Sequence, residues 1–246
     1  KKLWYDSVFV LEKPDGKWRT GFRLPRPLAY GVSITTDKGL LCIGGGDSEK
    51  HLADVFLLEW IDGKIRTTDY PALPRPCAFG SGARVGNIVY LAGGIETPTA
   101  TRAMNSFWAL NLKQPGKGWK ELPSWPGPER MLAVAGSANR SFFLISGTSL
   151  HAGADGKPER TYLKDGFRYT PGSGWKKTAD IPSPAVASPS PAPLLHRSKL
   201  LVICGDDGSK VGFEPLSKHP GFPRRTLAYD AKRDKWSSAG RVPFSI

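Results

Sequence analysis

Sulfur and histidine are scarce. Cys42, Cys77 and Cys204 are the only cysteines among 246 residues, and they stand far apart on or beside apolar stretches. That placement excludes a disulfide framework or a cysteine-rich metal cluster and predicts three buried thiols. His51, His151, His196 and His219 show no zinc-ligand spacing, no Gly-Lys-Ser/Thr phosphate loop occurs, and no Gly-x-Ser-x-Gly elbow is found. The sequence therefore predicts neither a metal site nor a cofactor. No apolar run approaches the roughly eighteen residues needed to span a bilayer, and no basic-then-apolar leader is legible, so membrane insertion is not expected. Long helices are not expected either, because 28 glycines and 22 prolines break the chain into short segments.

Acidic residues are outnumbered. The formal charge of +13 favours an anionic partner. The cations are scattered, without a block of about five or six, which argues against a nucleic-acid stripe and for a small anion.

An internal repeat organises the whole chain. Asp6-Ser-Val-Phe-Val-Leu11, Ala53-Asp-Val-Phe-Leu-Leu58, Asn105-Ser-Phe-Trp-Ala-Leu110, Asp165-Gly-Phe-Arg-Tyr169 and Arg225-Thr-Leu-Ala-Tyr229 align as short strands, with Val8, Val55, Phe107, Phe167 and Leu227 as equivalents. Upstream of four of them runs a continuously apolar stretch ending in Gly-Gly or a degenerate form: Leu40 to Gly46, Ile88 to Gly94, Phe142 to Gly147 and Leu200 to Gly205. Such stretches are strands covered on both faces. Downstream come Trp18, Trp119, Trp175 and Trp236, with Ile65 in the remaining repeat, followed by a Pro-containing corner.

Each repeat thus has strands a, b, c and d in order, and glycine pairs with downstream Trp resemble the kelch superfamily over essentially the whole length. The expected fold is all-β: a single kelch-type β-propeller domain over 1–246, built of four-stranded antiparallel blades. Residues 29–70, 77–122, 131–180 and 185–240 supply four blades, and 1–23 supplies strands c and d of another. The expectation is an incomplete ring cut from a parent of about six blades, since an open sheet edge invites aggregation.

In a four-stranded blade the b–c and d–a connections emerge at one end, and chemistry is sought there. The d–a corners carry Arg26, Arg75 and Arg130, expected to converge as an anion funnel because guanidinium forks fit carboxylates. The b–c loops carry Glu96 with Arg102, then Arg160, then Asp206, Asp207 and Arg225. Acids and arginines on one rim can hold an acid and move protons.

Within kelch proteins, Trp4 to Glu12 with Pro14-Asp-Gly-Lys-Trp18, Leu24-Pro-Arg-Pro-Leu-Ala-Tyr-Gly31, Ala53 to Leu58, Cys204-Gly-Asp-Asp-Gly-Ser209 and Pro220-Gly-Phe-Pro-Arg224 resemble the N-acetylneuraminate (sialic acid) mutarotase family, in its cyclically permuted bacterial branch. The resemblance implies an isomerase that interconverts sugar anomers by acid/base ring opening, a small anionic sugar as partner, and a periplasmic or secreted location; homo-oligomerisation is left open. It also implies a functional glutamate and arginine six positions apart. Glu96 and Arg102 keep that spacing without the family's intervening Pro-Gly, while Pro220-Gly-Phe-Pro-Arg-Arg225-Thr keeps Pro-Gly and Arg-Thr without the glutamate. Glu96 and Arg102 are therefore the expected catalytic pair, and Arg26, Arg75, Arg130, Arg160, Asp206, Asp207 and Arg225 the expected substrate-binding set. A non-catalytic kelch interaction propeller and an acidic-glycan-binding lectin are the alternatives.

Overall fold

A computed structural model describes residues 3–244. The fold is all-β, with twenty strands in antiparallel sheets among the described residues. Strands β1 (Ser7–Val10) and β2 (Arg19–Arg23) form a two-stranded sheet. The first four-stranded blade comprises β3 (Val32–Thr35), β4 (Leu40–Ile43), β5 (Val55–Ile61) and β6 (Lys64–Tyr70), and the second β7 (Ser81–Val85), β8 (Ile88–Ala92), β9 (Phe107–Asn111) and β10 (Lys120–Glu121). In the third blade β11 (Val134–Ala138) and β12 (Ser141–Ile145) are followed by an inserted hairpin, β13 (Thr148–Ala152) with β14 (Pro158–Tyr162), and then by β15 (Gly166–Thr170) and β16 (Gly174–Thr178). The fourth has β17 (Leu194–Leu195), β18 (Lys199–Ile203), β19 (Arg225–Asp230) and β20 (Lys235–Arg241). The b–c connection that carries Arg160 is thus a paired hairpin, each residue from Thr148 to Ala152 finding a ladder partner in Pro158 to Tyr162.

The b strands of the inner blades are buried because their sheets are sandwiched between neighbours, all five residues of β12 being buried, whereas β18 of the fourth blade alternates between half-buried and buried. One core cluster fills each gap between successive four-stranded blades: Val32, Leu41, Leu57, Leu91 and Trp108 in the first, Tyr90, Phe107, Phe142 and Trp175 in the second, Phe143, Leu200, Val202 and Tyr229 in the third. Two repeated hydrogen bonds fix the turn from blade to blade. At the inner end, the N–H of Phe79 donates to Tyr30 O, that of Leu132 to Phe79 O and that of Ala187 to Leu132 O, at 2.9, 2.9 and 3.0 Å. All four residues have positive φ, 63°, 58°, 55° and 54°, a region uncommon for non-glycine side chains. At the outer edge, the indoles of Trp119, Trp175 and Trp236 donate to the carbonyls of Pro71, Pro123 and Ala179 in the preceding blade.

Pairing registers correct the repeat alignment. Ile43, Ala92, Ile145 and Ile203 face Val55, Phe107, Gly166 and Thr226, so Phe167 and Leu227 stand one position beyond Val55 and Phe107, not level with them. The corners slip as well. Gly45 N–H donates to Cys77 O as Gly94 N–H donates to Arg130 O. Arg130 therefore occupies the place of Cys77, two residues on from Arg75.

Candidate functional site

Those registers decide what each predicted arginine does. The residue at the head of strand c is Asp54, Ser106, Asp165 and Arg225 in the four blades, since their carbonyls accept from Gly44, Gly93, Ser146 and Cys204 in turn. In the first blade Arg26 reaches Asp54 at 3.1 Å. In the third, Arg130 sits in the core because Cys77's position faces inward. Its side chain is 0 % exposed, its fork meets both oxygens of Asp165 at 2.9 Å, and it also donates to Ser146 O at 2.9 Å, between the rings of Trp125 and Phe167. The fourth blade inverts the chemistry: Ser183 stands at the corner, and Arg225 donates to its hydroxyl and to Asp207 at 3.2 Å. Burial pushes the Asp207 carboxyl up, but hydrogen bonds from Ser209 and Arg225 outweigh it and hold it below its ordinary value.

The second blade differs. Ser106 removes the carboxylate from the strand-c position, and Arg75 turns instead to Glu96 at 3.4 Å. Arg102 meets Glu129 at 3.2 Å, and these four residues line one cleft of about 540 Å³ with Thr97, Thr101 and Asn105. Local sequence makes this possible: Thr97-Pro-Thr-Ala100 turns back through a hydrogen bond from Ala100 N–H to Thr97 O, and Ile95, Ala103 and Met131 anchor the loop on an apolar cluster. The cleft holds two carboxylates and two guanidiniums on open rim, a set able to grip a carboxylate and shuttle a proton.

The expected single funnel is not formed. Arg26 with Asp54 lines a separate cleft of about 360 Å³ between Pro25 and Tyr70, Arg130 is interior, and Arg225 is engaged within its own blade. Arg160 and Asp206 meet at a further cavity, of about 890 Å³, between the β13–β14 hairpin and the 206–222 loop. There Tyr162 donates to Asp206 at 2.6 Å; burial first, and that bond second, push the phenol up to about 12, so it remains a donor. Gly208, at φ +80°, lies against the Tyr162 ring, where a Cβ would come within about 3.0 Å. Sequence reasoning missed Glu129 and Tyr162 as site residues. Glu129 adjoins the corner arginine that drew attention, whereas Tyr162 follows the β14 arginine, and no pattern in the residues marks either.

Among the described residues no group of three or more His, Cys, Asp or Glu is placed to hold a metal ion, and no helix is long and apolar enough to cross a membrane. The three cysteines are free and buried, as expected.

The chain is 26% identical over 200 residues to the N-acetylneuraminate epimerase of Haemophilus influenzae (strain 86-028NP), covering 72% of this chain and 50% of that protein. It is 26% identical over 224 residues to the N-acetylneuraminate epimerase of Brucella suis, covering 80% and 55%, and 24% identical over 199 residues to that of Yersinia enterocolitica, covering 71% and 48%. The chain is thus similar in sequence to N-acetylneuraminate epimerases. It spans about half the length of the epimerases it matches. No family model matches it. The epimerase resemblance carried by the repeats and corners is thereby borne out.

Proposed function

We propose that this chain contributes an anomer-exchanging site to a sialic-acid mutarotase-like protein, with the Arg75, Glu96, Arg102 and Glu129 cleft as the reacting centre. The observation that carries the reading is the release of Arg75: with Ser106 in place of an acid, this corner arginine alone among those at its position turns to a b–c-loop carboxylate. The name of the relatives supports a sialic-acid substrate class, and a periplasmic or secreted location is part of the same proposal.

Opening a pyranose hemiketal requires loss of the anomeric hydroxyl proton, cleavage of the bond between the anomeric carbon and the ring oxygen, and protonation of that oxygen. Glu96, in its ionised form, accepts the anomeric proton as the carbonyl forms, and a water carries a proton to the ring oxygen. Rotation about the adjacent carbon–carbon bond and the reverse transfers close the other anomer, leaving Glu96 as it began. Arg102 and Arg75 hold the substrate carboxylate; neither gives up a proton at neutral pH. Glu129 holds Arg102 in place.

The test is catalysed anomer exchange of N-acetylneuraminate followed by nuclear magnetic resonance. Glu96→Gln is expected to slow exchange by about 100-fold, within the range for losing a general base, and Arg102→Ala to raise KM. Exchange unchanged in both variants overturns the assignment.

A further inference from the structure

The largest cavity among those described is not the cleft assigned above. Between β14 and the 206–222 loop, about 890 Å³ is lined by Arg160, Tyr162, Asp206, Lys210 and Glu214 together with aromatic rings. Three features set it apart from ordinary loop surface. First, those rings form a continuous wall: Phe213 to His219 and His219 to Phe222 have centroids 5.5 and 5.3 Å apart. Second, large apolar side chains are left to water at its lip, with Val211 69 % and Leu216 74 % exposed; exposed apolar groups gathered around a concavity mark ligand or partner contact. Third, among the described residues neither Arg160 nor Lys210 has a carboxylate partner, Arg160 meeting the Tyr162 hydroxyl and Lys210 the Phe213 ring, whereas each of the corner arginines Arg26, Arg75 and Arg130 is in an ion pair. The cavity's own acids are mostly engaged, Asp206 by Tyr162 and Glu159 by His151.

We propose that this cavity binds an acidic oligosaccharide, with a sugar carboxylate on Arg160 and Lys210 and the C–H face of a pyranose on the Phe213, His219 and Phe222 wall. Rings that present an apolar body beside polar handles suit pyranoses, which carry a C–H face and hydroxyl edges. Hydroxyl partners are present: Glu214 accepts, and His219 donates, because Gly221 N–H donates to its Nδ1 at 3.0 Å and fixes the neutral ring's proton on Nε2. The volume lies at the upper end of ligand sites, which suits more than one sugar unit. A glycosidically linked acidic sugar has no free anomeric hydroxyl, so this site retains a glycan without acting on it. The proposal is independent of the Glu96 reading, since a protein without exchange activity would keep the cavity.

The probe is 3′-sialyllactose, whose sialic acid is locked as a glycoside, compared with lactose by isothermal titration calorimetry and saturation-transfer nuclear magnetic resonance. The expected result is binding of sialyllactose at least tenfold tighter than lactose. A further loss of at least tenfold is expected in Arg160→Ala/Lys210→Ala and in Phe222→Ala, with little change in Arg75→Ala/Arg102→Ala. Exchange of free N-acetylneuraminate should be unaltered by Phe222→Ala. The proposal is overturned if sialyllactose does not bind, if lactose binds equally well, or if affinity follows Arg75 and Arg102 instead of Arg160 and Phe222. Exchange lost only in Glu96→Gln, alongside any of those outcomes, sinks this site and spares the other.

Discussion

Removing Arg130 tests whether the third blade is held by a buried ion pair. Its guanidinium is wholly enclosed, makes two parallel bonds to Asp165, and spends a further N–H on the carbonyl of Ser146, while Asp165 is only 18 % exposed. Deleting one partner of such a pair leaves the other buried and uncompensated, which costs about 3–5 kcal/mol. Arg26 and Asp54 supply an internal control: both side chains are nearly half exposed, water screens them, and their pairing contributes less than about 1 kcal/mol. The assay is urea unfolding followed by tryptophan fluorescence, on Arg130→Ala, Asp165→Ala and the double variant, and on the matching Arg26 and Asp54 set. A coupling of about 2–3 kcal/mol is expected for the first pair, against under about 1 kcal/mol for the second. Arg130→Lys, which keeps the charge and loses the fork, should fall between wild type and Arg130→Ala. If Arg130→Ala costs less than about 1 kcal/mol, or the two couplings agree, Arg130 is not a structural residue and its return to the ligand-binding set is warranted.

Three further outcomes follow from geometry. Trp236→Phe should cost about 1 kcal/mol in the same urea titration by deleting the indole bond to Ala179 O, whereas Trp18→Phe should change stability by less than about 0.5 kcal/mol, its ring being 62 % exposed. Burial pushes the Cys42 and Cys77 thiols up to about 11 and about 12. At pH 8 both are therefore protonated, and a thiol-reactive disulfide reagent should label neither until denaturant is added; rapid native labelling refutes the buried-thiol reading. Gly94→Ala should destabilise by at least about 2 kcal/mol, since φ is +98° and a Cβ would stand within 2.7 Å of Ala78 O; a smaller loss by the same measurement counts against a left-handed turn closed on Ala78.

The fold was legible because it is periodic. Continuous apolar stretches such as Leu40 to Ile43 and Phe142 to Ile145 can be satisfied only between two neighbouring sheets, and each recurs before a glycine that must adopt positive φ. Recurrence makes weak local patterns specific. What the sequence concealed was register at the scale of one or two residues. Arg130 looks like Arg26 and Arg75 on the page, but two residues of displacement along the corner carry it from the rim into the core. Asp165-Gly-Phe167 looks like a match for Ser106-Phe107, yet its ladder pairs Gly166 where Phe107 sits. A shift of one position reverses which face a strand residue presents, so site residues read from a repeat inherit every such error. The hairpin β13–β14 was obscured because its outer strand, Pro158 to Tyr162, is polar and exposed.

The fourth blade shows why the excess of positive charge does not by itself describe a ligand site. At equivalent positions the first blade has Arg26 against Asp54 and the fourth has Ser183 against Arg225, so the arginine has changed places with its partner while the corner remains tied to strand c. What repeats is the tie, not the location of the cation, and an arginine tied within its blade has its field largely cancelled by its acid at 3.1 to 3.2 Å. Meanwhile Lys113, Lys117, Lys120, Lys232, Arg233 and Lys235 all lie exposed on or beside the c–d turns, at the end opposite the candidate cleft. At about 0.1 M salt, screening over roughly 10 Å removes most of their influence on a ligand at the loop end. The cations that matter for recognition are consequently Arg75, which Ser106 releases from strand c to meet a loop acid on the open rim, and Arg160 and Lys210, which among the described residues have no carboxylate partner. That criterion, partner bookkeeping within the blade and not net charge, separates the residues expected to touch an anion from those that hold the sheets together.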